Sequence, residues 1–293
     1  MKPWVRVVIA VGVLLLVALV ALPFLRNTEH RDLDEAARSS APGQFVQLSA
    51  GTTHYLLEGP EDGPPVVLVH GFSVPSYVWD TTASALVAEG YRVLRLDQYG
   101  RGWSDRPKAT YDAEFLATQV RDLVDAVGFT EPFDLLGMSM GGVVVATFVE
   151  RWPERVRRVA LFDPVHEVMD VSVLTVPGLG EYVARVYWLP GLPDSQSGDF
   201  HRPERFADYP DRYREQMQFR GFGRALVSSA RTVLAVDPRA HYEAVAAKGL
   251  PILLVWGEQD EKVPFDESSL ALRDLLGAEL LVVPEAGHVP HVE

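Results

Sequence analysis

Short apolar runs alternate with helix-like stretches along most of this sequence, and this alternation limits the possible folds more than any other feature. The runs occupy residues 65–70, 92–96, 133–136, 156–162, 252–256 and 280–283. Between them, residues 78–89, 113–127, 140–151 and 266–276 have the apolar spacing of amphipathic helices. Apolar runs of this length are typical of strands buried on both faces, and strands that alternate with helices form mostly parallel sheets. The sequence therefore predicts an α/β fold with helices on both faces of one sheet.

Two regions depart from the alternation. Residues 45–48 and 53–57 are short alternating runs joined across Ala50-Gly51, which predicts an antiparallel hairpin. Residues 164–247 contain no convincing buried strand, but they hold several proline-broken helical pieces and many aromatic residues. This stretch is far too long for an ordinary connection, so we expect an inserted, mainly helical cap. Its aromatic residues form the core of the cap or line an apolar substrate pocket, for which Trp188 and Phe219 are the candidates.

The amino terminus carries an uncharged apolar run from Val7 to Leu25. A helix of this length spans roughly 28 Å, about the thickness of the bilayer hydrocarbon. The basic residues Lys2 and Arg6 precede the run, which favours a single-pass anchor with the main body on the extracytoplasmic side. A cleaved signal peptide, which would give a secreted protein, and a buried core helix are the alternatives.

These features divide the chain into five segments. We predict a membrane anchor or signal peptide at residues 1–26 and a polar tether at residues 27–43. The first part of the α/β core follows at residues 44–163, the helical cap at 164–247, and the second part of the core at 248–293.

Charge and composition exclude several function classes. The formal net charge is -13, whereas binding to a nucleic-acid duplex needs a basic footprint, so we expect no nucleic-acid partner. The chain has no cysteine, which excludes disulfides, thiolate zinc sites and cysteine nucleophiles. A content of 47% hydrophobic and 23% charged residues is typical of a globular protein.

A G-x-S-x-G sequence at residues 137–141 identifies Ser139 as a candidate nucleophile. It follows the apolar run of residues 133–136 and precedes the helical pattern of residues 140–151. A sharp strand-to-helix turn at this point would raise the hydroxyl above the sheet, and the glycines would remove the clashes that forbid such a turn. The alternative is a glycine-rich turn that serves only close packing of helix on sheet.

A serine nucleophile needs a base, and the base needs an orienting acid. Functional groups gather at the carboxyl ends of parallel strands, where Asp260 follows residues 252–256 and His288 follows residues 280–283. We therefore predict that Asp260 and His288 act with Ser139. Glu258 and Asp163 are the alternative acids.

The oxyanion of an acyl-transfer reaction needs two backbone N–H donors. We predict that Met140 supplies one of them, because it follows the nucleophile, and that Phe72 supplies the other from the loop after the first apolar run. The preceding His70 is interpreted as a residue that fixes this loop.

Five motifs together resemble the α/β-hydrolase superfamily over roughly residues 44–293. They are HGF at 70–72, DQYGRGWSDRP at 97–107, GMSMGG at 137–142, WGEQD at 256–260 and GHVPHVE at 287–293. With the helical cap and the amino-terminal helix, the arrangement is similar to membrane-bound monoacylglycerol lipases and related esterases. The resemblance implies the α/β-hydrolase fold and no metal or organic cofactor. Haloalkane dehalogenases and epoxide hydrolases carry Asp where this sequence has Ser139, which argues against both activities.

The expected function is hydrolysis of carboxylic esters with apolar or lipid-like acyl chains, of the monoacylglycerol type, through an acyl-enzyme on Ser139. Carbon–carbon bond hydrolases, amidases and cofactor-free perhydrolases share the same core, so these activities remain alternatives. A ligand-binding protein that keeps the pocket without catalysis is a third possibility.

Overall fold

One eight-stranded sheet forms the centre of the computed structural model, which describes residues 2–293. Its strands are β1 (Gln44–Gln47), β2 (Thr52–Glu58), β3 (Pro65–Val69), β4 (Arg92–Leu96), β5 (Phe133–Met138), β6 (Val156–Phe162), β7 (Ile252–Gly257) and β8 (Glu279–Val283). Their spatial order is β1-β2-β4-β3-β5-β6-β7-β8. The β1–β2 and β2–β4 pairs are antiparallel, and all other neighbours are parallel. The predicted hairpin and mostly parallel sheet are both present.

Within residues 2–293, twelve α-helices accompany the sheet. They are α1 (Pro3–Leu25), α2 (Glu35–Arg38), α3 (Asp80–Ala88), α4 (Ala113–Ala126), α5 (Met140–Arg151), α6 (Ser172–Thr175), α7 (Leu179–Val183), α8 (Leu189–Ser195), α9 (Tyr209–Met217), α10 (Phe222–Ser229), α11 (Arg239–Ala246) and α12 (Glu267–Leu276). Short 3₁₀ turns lie at Ser76–Trp79, Pro153–Arg155, Gln196–Asp199 and Pro203–Phe206, and π-helical turns at Ala184–Trp188 and Ala230–Leu234.

The sheet is buried on both faces because successive side chains of its strands point in opposite directions. In β3, Val67 and Val69 pack with the layer of α4, α5, α11 and α12. Val66 and Leu68 pack on the opposite side, with α3 and the cap. This two-sided burial explains why the strands appear in the sequence as continuous apolar runs. It confirms the predicted fold class.

The stretch between β6 and β7 contains six helices and no strand, as the sequence predicts. Its last helix, α11, packs against α5 and α12 and therefore belongs to the layer that covers the sheet. The cap, as the term is used below, consists of α6 to α10 and the turns between them. It thus ends before residue 247, where the sequence pattern placed its boundary.

Helix α1 has 23 residues, none of them buried, and a mean hydropathy of 3.0 over its most apolar window. These properties are those of a helix that crosses a membrane, and a signal sequence near an amino terminus shares them. The apolar helix predicted from the sequence is therefore present.

The segment of residues 27–43, which the sequence predicts to be a polar tether, lies against the body. The carboxylate of Glu29 accepts hydrogen bonds from the N–H groups of Gly221 and Gly223, both at 2.7 Å, at the start of α10. Further along, Arg38 donates to a carbonyl of a core loop. A carboxylate at a helix amino end satisfies N–H groups that have no partner inside the helix. The charges of this segment therefore attach it to the protein.

Candidate active site

Ser139 lies in a strained turn between β5 and α5. Its φ is 53°, in the left-handed region that residues other than glycine rarely adopt. A Cβ at Gly137 would lie 2.6 Å from the carbonyl oxygen of Gly141, and a Cβ at Gly141 would lie 2.5 Å from that of His70. Both positions therefore require glycine, and the turn predicted from the G-x-S-x-G sequence is formed.

Hydrogen bonds from neighbouring segments hold this turn in place. The N–H of Ser139 donates to the carbonyl of Phe162 at 2.8 Å. The carbonyl of Ser139 accepts from Gly142 at 2.9 Å and from Val165 at 3.1 Å. Strained backbone persists where the surrounding structure fixes it in this way, which is common at functional sites.

The structure brings Asp260 and His288 together from the loops after β7 and β8. The Nδ1 atom of His288 lies 2.7 Å from Oδ2 of Asp260. The second carboxylate oxygen of Asp260 accepts the N–H groups of Lys262, at 2.7 Å, and Val263, at 3.0 Å. The N–H of His288 donates to the carbonyl of Asp199 in the cap at 2.8 Å. Because Nδ1 of His288 is hydrogen-bonded to Asp260, Nε2 is the ring nitrogen that remains available for proton transfer.

Burial and charge act in opposite directions on this pair. Burial alone would lower the pKa of His288, but the charge of Asp260 and their hydrogen bond outweigh it and raise that pKa above its usual value. Burial favours the neutral form of Asp260, yet His288 and the two backbone N–H groups lower its pKa overall. The pair therefore favours an ionised carboxylate beside an imidazole that holds a proton well.

Within residues 2–293, neither of the two alternative acids, Glu258 and Asp163, forms a hydrogen bond with His288. Glu258 is exposed and bonds to the side chain of Gln259. Asp163 is fully buried, has a φ of 43°, and accepts the N–H of Gly257 at 2.9 Å. Burial and the nearby charge of Asp260 raise the pKa of Asp163 well above its usual value, which favours the neutral form of its carboxyl.

Ligand atoms of Asp163, Asp260 and His288 lie within 4.8 Å of one another, a spacing that a metal ion could bridge. In this cluster the Nδ1 atom of His288 already faces Asp260, and burial favours the neutral form of the Asp163 carboxyl. Metal ligation needs deprotonated carboxylates and a free imidazole nitrogen. These contacts favour an acid–base pair of His288 and Asp260 over a metal site.

The two predicted oxyanion donors, the N–H groups of Phe72 and Met140, have no acceptor within residues 2–293. Two buried residues of the 97–107 motif hold the loop of Phe72. The side-chain amide of Gln98 donates to the carbonyl of His70 at 2.6 Å, and Arg101 Nε donates to the carbonyl of Phe72 at 2.8 Å. Neither residue was predicted from the sequence to take part in the site.

Ser139 and His288 line one cavity of about 510 Å³ beneath the cap. Trp188 forms part of its wall, with its ring centroid 5.8 Å from that of Phe72. The other large apolar side chains of the wall are Val74, Met138, Met169, Val171, Tyr187, Leu192 and Leu234. The core thus supplies the reactive groups, and the cap supplies Tyr187, Trp188 and Leu192 of the apolar wall.

Phe219, the second aromatic residue predicted for this pocket, lies elsewhere, and that prediction needs correction. It lines a different cavity and is only 1% exposed. Its ring packs against Trp103 at 5.4 Å, and the guanidinium groups of Arg31 and Arg106 lie over its face. The segment of residues 27–43 covers this region, which a helical pattern in the cap alone could not reveal.

Gln196, Asp199 and Lys262 are among the polar residues of the cavity that were not identified from the sequence. Gln196 and Asp199 come from a turn of the cap, and Lys262 follows Asp260. The Lys262 ammonium lies 3.5 Å from the Asp199 carboxylate. No motif marks these positions, because their place depends on how the cap lies over the sheet.

Comparison with known proteins agrees with this geometry. A model of the alpha/beta hydrolase family matches residues 66–293. Lipase 3 of Moraxella sp. (strain TA144) is 24% identical over 282 residues, which cover 88% of this chain and 82% of the lipase. The non-heme chloroperoxidase of Streptomyces lividans is 28% identical over 274 residues, covering 84% of this chain and 92% of the relative.

A similar structure has also been solved. A variant of a meta-cleavage product hydrolase superimposes with a TM-score of 0.70 at 25% identity, covering 86% of this chain and 93% of that protein. The family match includes β3 to β8, the turn of Ser139 and the loops of Asp260 and His288. The chain therefore belongs to the alpha/beta hydrolase family.

Proposed function

We propose that this hydrolase cleaves carboxylic esters through an acyl-enzyme formed on Ser139. One observation carries the proposal: Ser139, on its strained turn, shares a cavity with His288, whose Nδ1 atom is bonded to Asp260. The similarity to a lipase supports ester hydrolysis in particular.

In the first half of the reaction the Ser139 hydroxyl attacks the ester carbonyl carbon. The Nε2 atom of His288 takes the hydroxyl proton, and Asp260 stabilises the resulting imidazolium. The N–H groups of Phe72 and Met140 stabilise the negative charge on the carbonyl oxygen. When the tetrahedral intermediate collapses, His288 returns the proton to the departing alcohol, and the acyl group remains on Ser139.

In the second half a water molecule takes the place of the alcohol. His288 removes a proton from this water, and the hydroxide attacks the acyl carbon. The same two N–H groups stabilise the second tetrahedral intermediate. Its collapse returns the proton to the Ser139 oxygen and releases the carboxylic acid.

The apolar wall of the cavity supports a preference for ester substrates with an apolar acyl chain. Each methylene group that such a wall buries contributes roughly 0.8 kcal/mol to binding. The resemblance to monoacylglycerol lipases points in the same direction, so monoacylglycerols belong among the substrates to be tested.

We also propose that α1 remains attached as a single-pass anchor with the body on the extracytoplasmic side. Its 23 residues exceed the apolar region of most signal peptides. The mass of the protein recovered from membranes tests this, because cleavage would leave a mature chain that starts near residue 22.

The proposed mechanism is tested by hydrolysis of p-nitrophenyl butyrate by the Ser139→Ala variant. We expect a loss on the order of 10⁴-fold or more, because the parts of such a site act together. Ser195→Ala is the matched control, since Ser195 lines the same cavity from the cap. Ester hydrolysis retained by Ser139→Ala would contradict the mechanism.

A second candidate is hydrolysis of a carbon–carbon bond or cofactor-free peroxidation, favoured by the similarity to a meta-cleavage product hydrolase and a chloroperoxidase. Both reactions would use the same serine. Turnover of a vinylogous diketone or of peroxide with acetate, at rates above those on esters, would favour this reading.

A further inference from the structure

The exposed apolar residues of the body are concentrated on one part of the cap. Val173, Val176, Leu179 and Tyr187, here called the cap face, are between 45% and 63% exposed. Elsewhere in residues 26–293 the comparable side chains are only Val168, Val236 and Leu281. Grouped apolar side chains on a protein surface mark a contact with a partner or a membrane.

Helix α1 ends beside the cap face. The Nε atom of Arg26, directly after the helix, donates to the carbonyl of Val186 at 3.1 Å. Val186 precedes Tyr187 in the π-helical turn that follows α7. If α1 spans a membrane, the chain therefore leaves the bilayer next to this part of the cap.

A cavity of about 740 Å³ lies at the same place, and none of the proposed catalytic residues lines it. We call it the arginine groove, because its lining includes Arg26, Arg185, Arg224 and Arg231. Its two acidic side chains are both engaged: Glu29 accepts backbone N–H groups, and Glu181 pairs with Arg231 at 2.6 Å. This groove is thus locally basic in a chain of net charge -13.

Arg185 is the most available cation of the groove. It is exposed and forms no ion pair within residues 2–293. A guanidinium group matches the geometry of a phosphate, to which it can donate two parallel hydrogen bonds. Basic residues beside exposed apolar side chains are the combination that binds the surface of an anionic bilayer.

The cap face also adjoins the entrance to the catalytic cavity. Tyr187 belongs to the cap face and lines the cavity that holds Ser139 and His288. Trp188, the next residue, forms part of the wall of that cavity. A lipid surface in contact with Tyr187 would therefore lie at the mouth of the cavity.

We infer that the cap face and the arginine groove form one docking surface for an anionic lipid bilayer, with the apolar side chains in the interface and the arginines on lipid phosphates. The inference rests on the proposed retention of α1 as an anchor. It gives the cap a second role, since docking holds the cavity mouth at the surface from which an amphiphilic ester enters.

The absence of native cysteine allows a direct test. A single cysteine at Val176→Cys, labelled with an environment-sensitive fluorophore, reports on the cap face of the full chain in phosphatidylcholine–phosphatidylglycerol vesicles. Leu281→Cys is the matched control, because Leu281 is 53% exposed on β8 at the far edge of the sheet. We expect quenchers attached to lipid chains to reduce emission at position 176 and not at position 281.

Two results would overturn the inference. One is the absence of quenching by lipid-attached quenchers at position 176, as at position 281, which would place the cap face in water. The other is protection of position 176 from aqueous acrylamide without lipid quenching, which would indicate contact with a second protein copy. The same measurement on a Ser139→Ala background is independent of turnover, so its failure is distinguishable from failure of the proposed esterase function.

The arginine groove is tested by the lipid charge. Arg185→Gln should lower the ratio of docked to undocked protein about fivefold in vesicles that contain phosphatidylglycerol, since each basic residue at such a surface contributes on that scale. Lys248→Gln, which removes an exposed cation of the core surface, should leave that ratio unchanged. Equal docking of the wild type and Arg185→Gln on vesicles that contain phosphatidylglycerol would overturn the role of the groove.

Discussion

The core and the cap of this hydrolase differ in what fixes their residues. In the core, β3 and β5 are buried between two layers, and backbone contacts dictate single residues such as Gly141. The cap has no strand, carries most of the exposed large apolar side chains of the body, and provides Tyr187, Trp188 and Leu192 of the apolar wall of the cavity.

The difference separates two functions. Nucleophilic attack, proton transfer and charge stabilisation are assigned to residues held by the sheet, where small displacements of the reactive atoms would lower the reaction rate. Selection of the acyl chain and contact with a lipid surface are assigned to the cap, where a side chain can change without loss of the reactive geometry. Substitutions in the core should therefore affect all esters alike, and substitutions in the cap should change the ratio between esters.

The largest expected effect separates the two buried acids of the core. Asp260→Asn should lower kcat about 10⁴-fold, because the imidazole loses the group that fixes its tautomer and stabilises its charge. Asp163→Asn should lower kcat roughly tenfold or less, since burial favours the neutral form of Asp163, which the Asn amide resembles in shape and charge. Steady-state kinetics on a soluble ester measures both. The reverse order of effects would assign the acid role to Asp163.

The next effect concerns stability. Gly141→Ala should destabilise the protein by about 3 kcal/mol, because the added Cβ would meet backbone carbonyls at 2.5 Å. Gly191→Ala in α8 of the cap should stabilise it by about 0.5 kcal/mol, because the position has free space and helical backbone. Thermal unfolding of the full chain in detergent compares them. Equal melting temperatures would contradict the contrast between core and cap.

A smaller effect tests selection by the cap. Each added methylene should raise kcat/KM up to about fourfold from acetyl to octanoyl esters in the wild-type protein. Trp188→Ala should flatten this slope, because it removes part of the cavity wall. Phe219→Ala should keep the slope even though it removes a buried ring. An unchanged slope in Trp188→Ala would place the acyl chain elsewhere.

The smallest effect is a shift along the pH axis. His288 accepts a proton only when neutral, so kcat/KM should fall as the pH drops through its pKa, which lies above the usual 6.5. The carboxylate of Asp199 is one of the charges that raise this pKa. Asp199→Asn should therefore shift the acidic limb of the kcat/KM–pH profile to lower pH. Asp194→Asn, on the exposed side of the cap, should leave that limb in place. A limb that moves equally in both variants would contradict a local effect of Asp199.

The core could be predicted from the sequence because its strands and the residues at their ends are marked by short stretches of neighbouring residues. Six apolar runs mark the parallel part of the sheet, and the chain order of Ser139, Asp260 and His288 follows from strand ends. Arg101 and Gln98 were missed, although they belong to a quoted motif, because their bonds to the loop of Phe72 cross between two segments.

The cap could be predicted only as a helical insert. Trp188 and Phe219 are both aromatic residues of the same insert, yet one lines the cavity of Ser139 and the other packs beneath residues 27–43. No periodicity separates these positions, since the difference arises from how the helices lie over the sheet. The attachment of residues 27–43 to the body was missed for the same reason.

The central claim, that the sheet presents an activated serine, is tested most directly by mapping the site of covalent labelling. The full chain is treated with a fluorophosphonate, digested, and analysed by mass spectrometry. We expect one adduct, on Ser139, that forms far more slowly in His288→Ala. An adduct on another residue, or none on a folded protein, would contradict the claim.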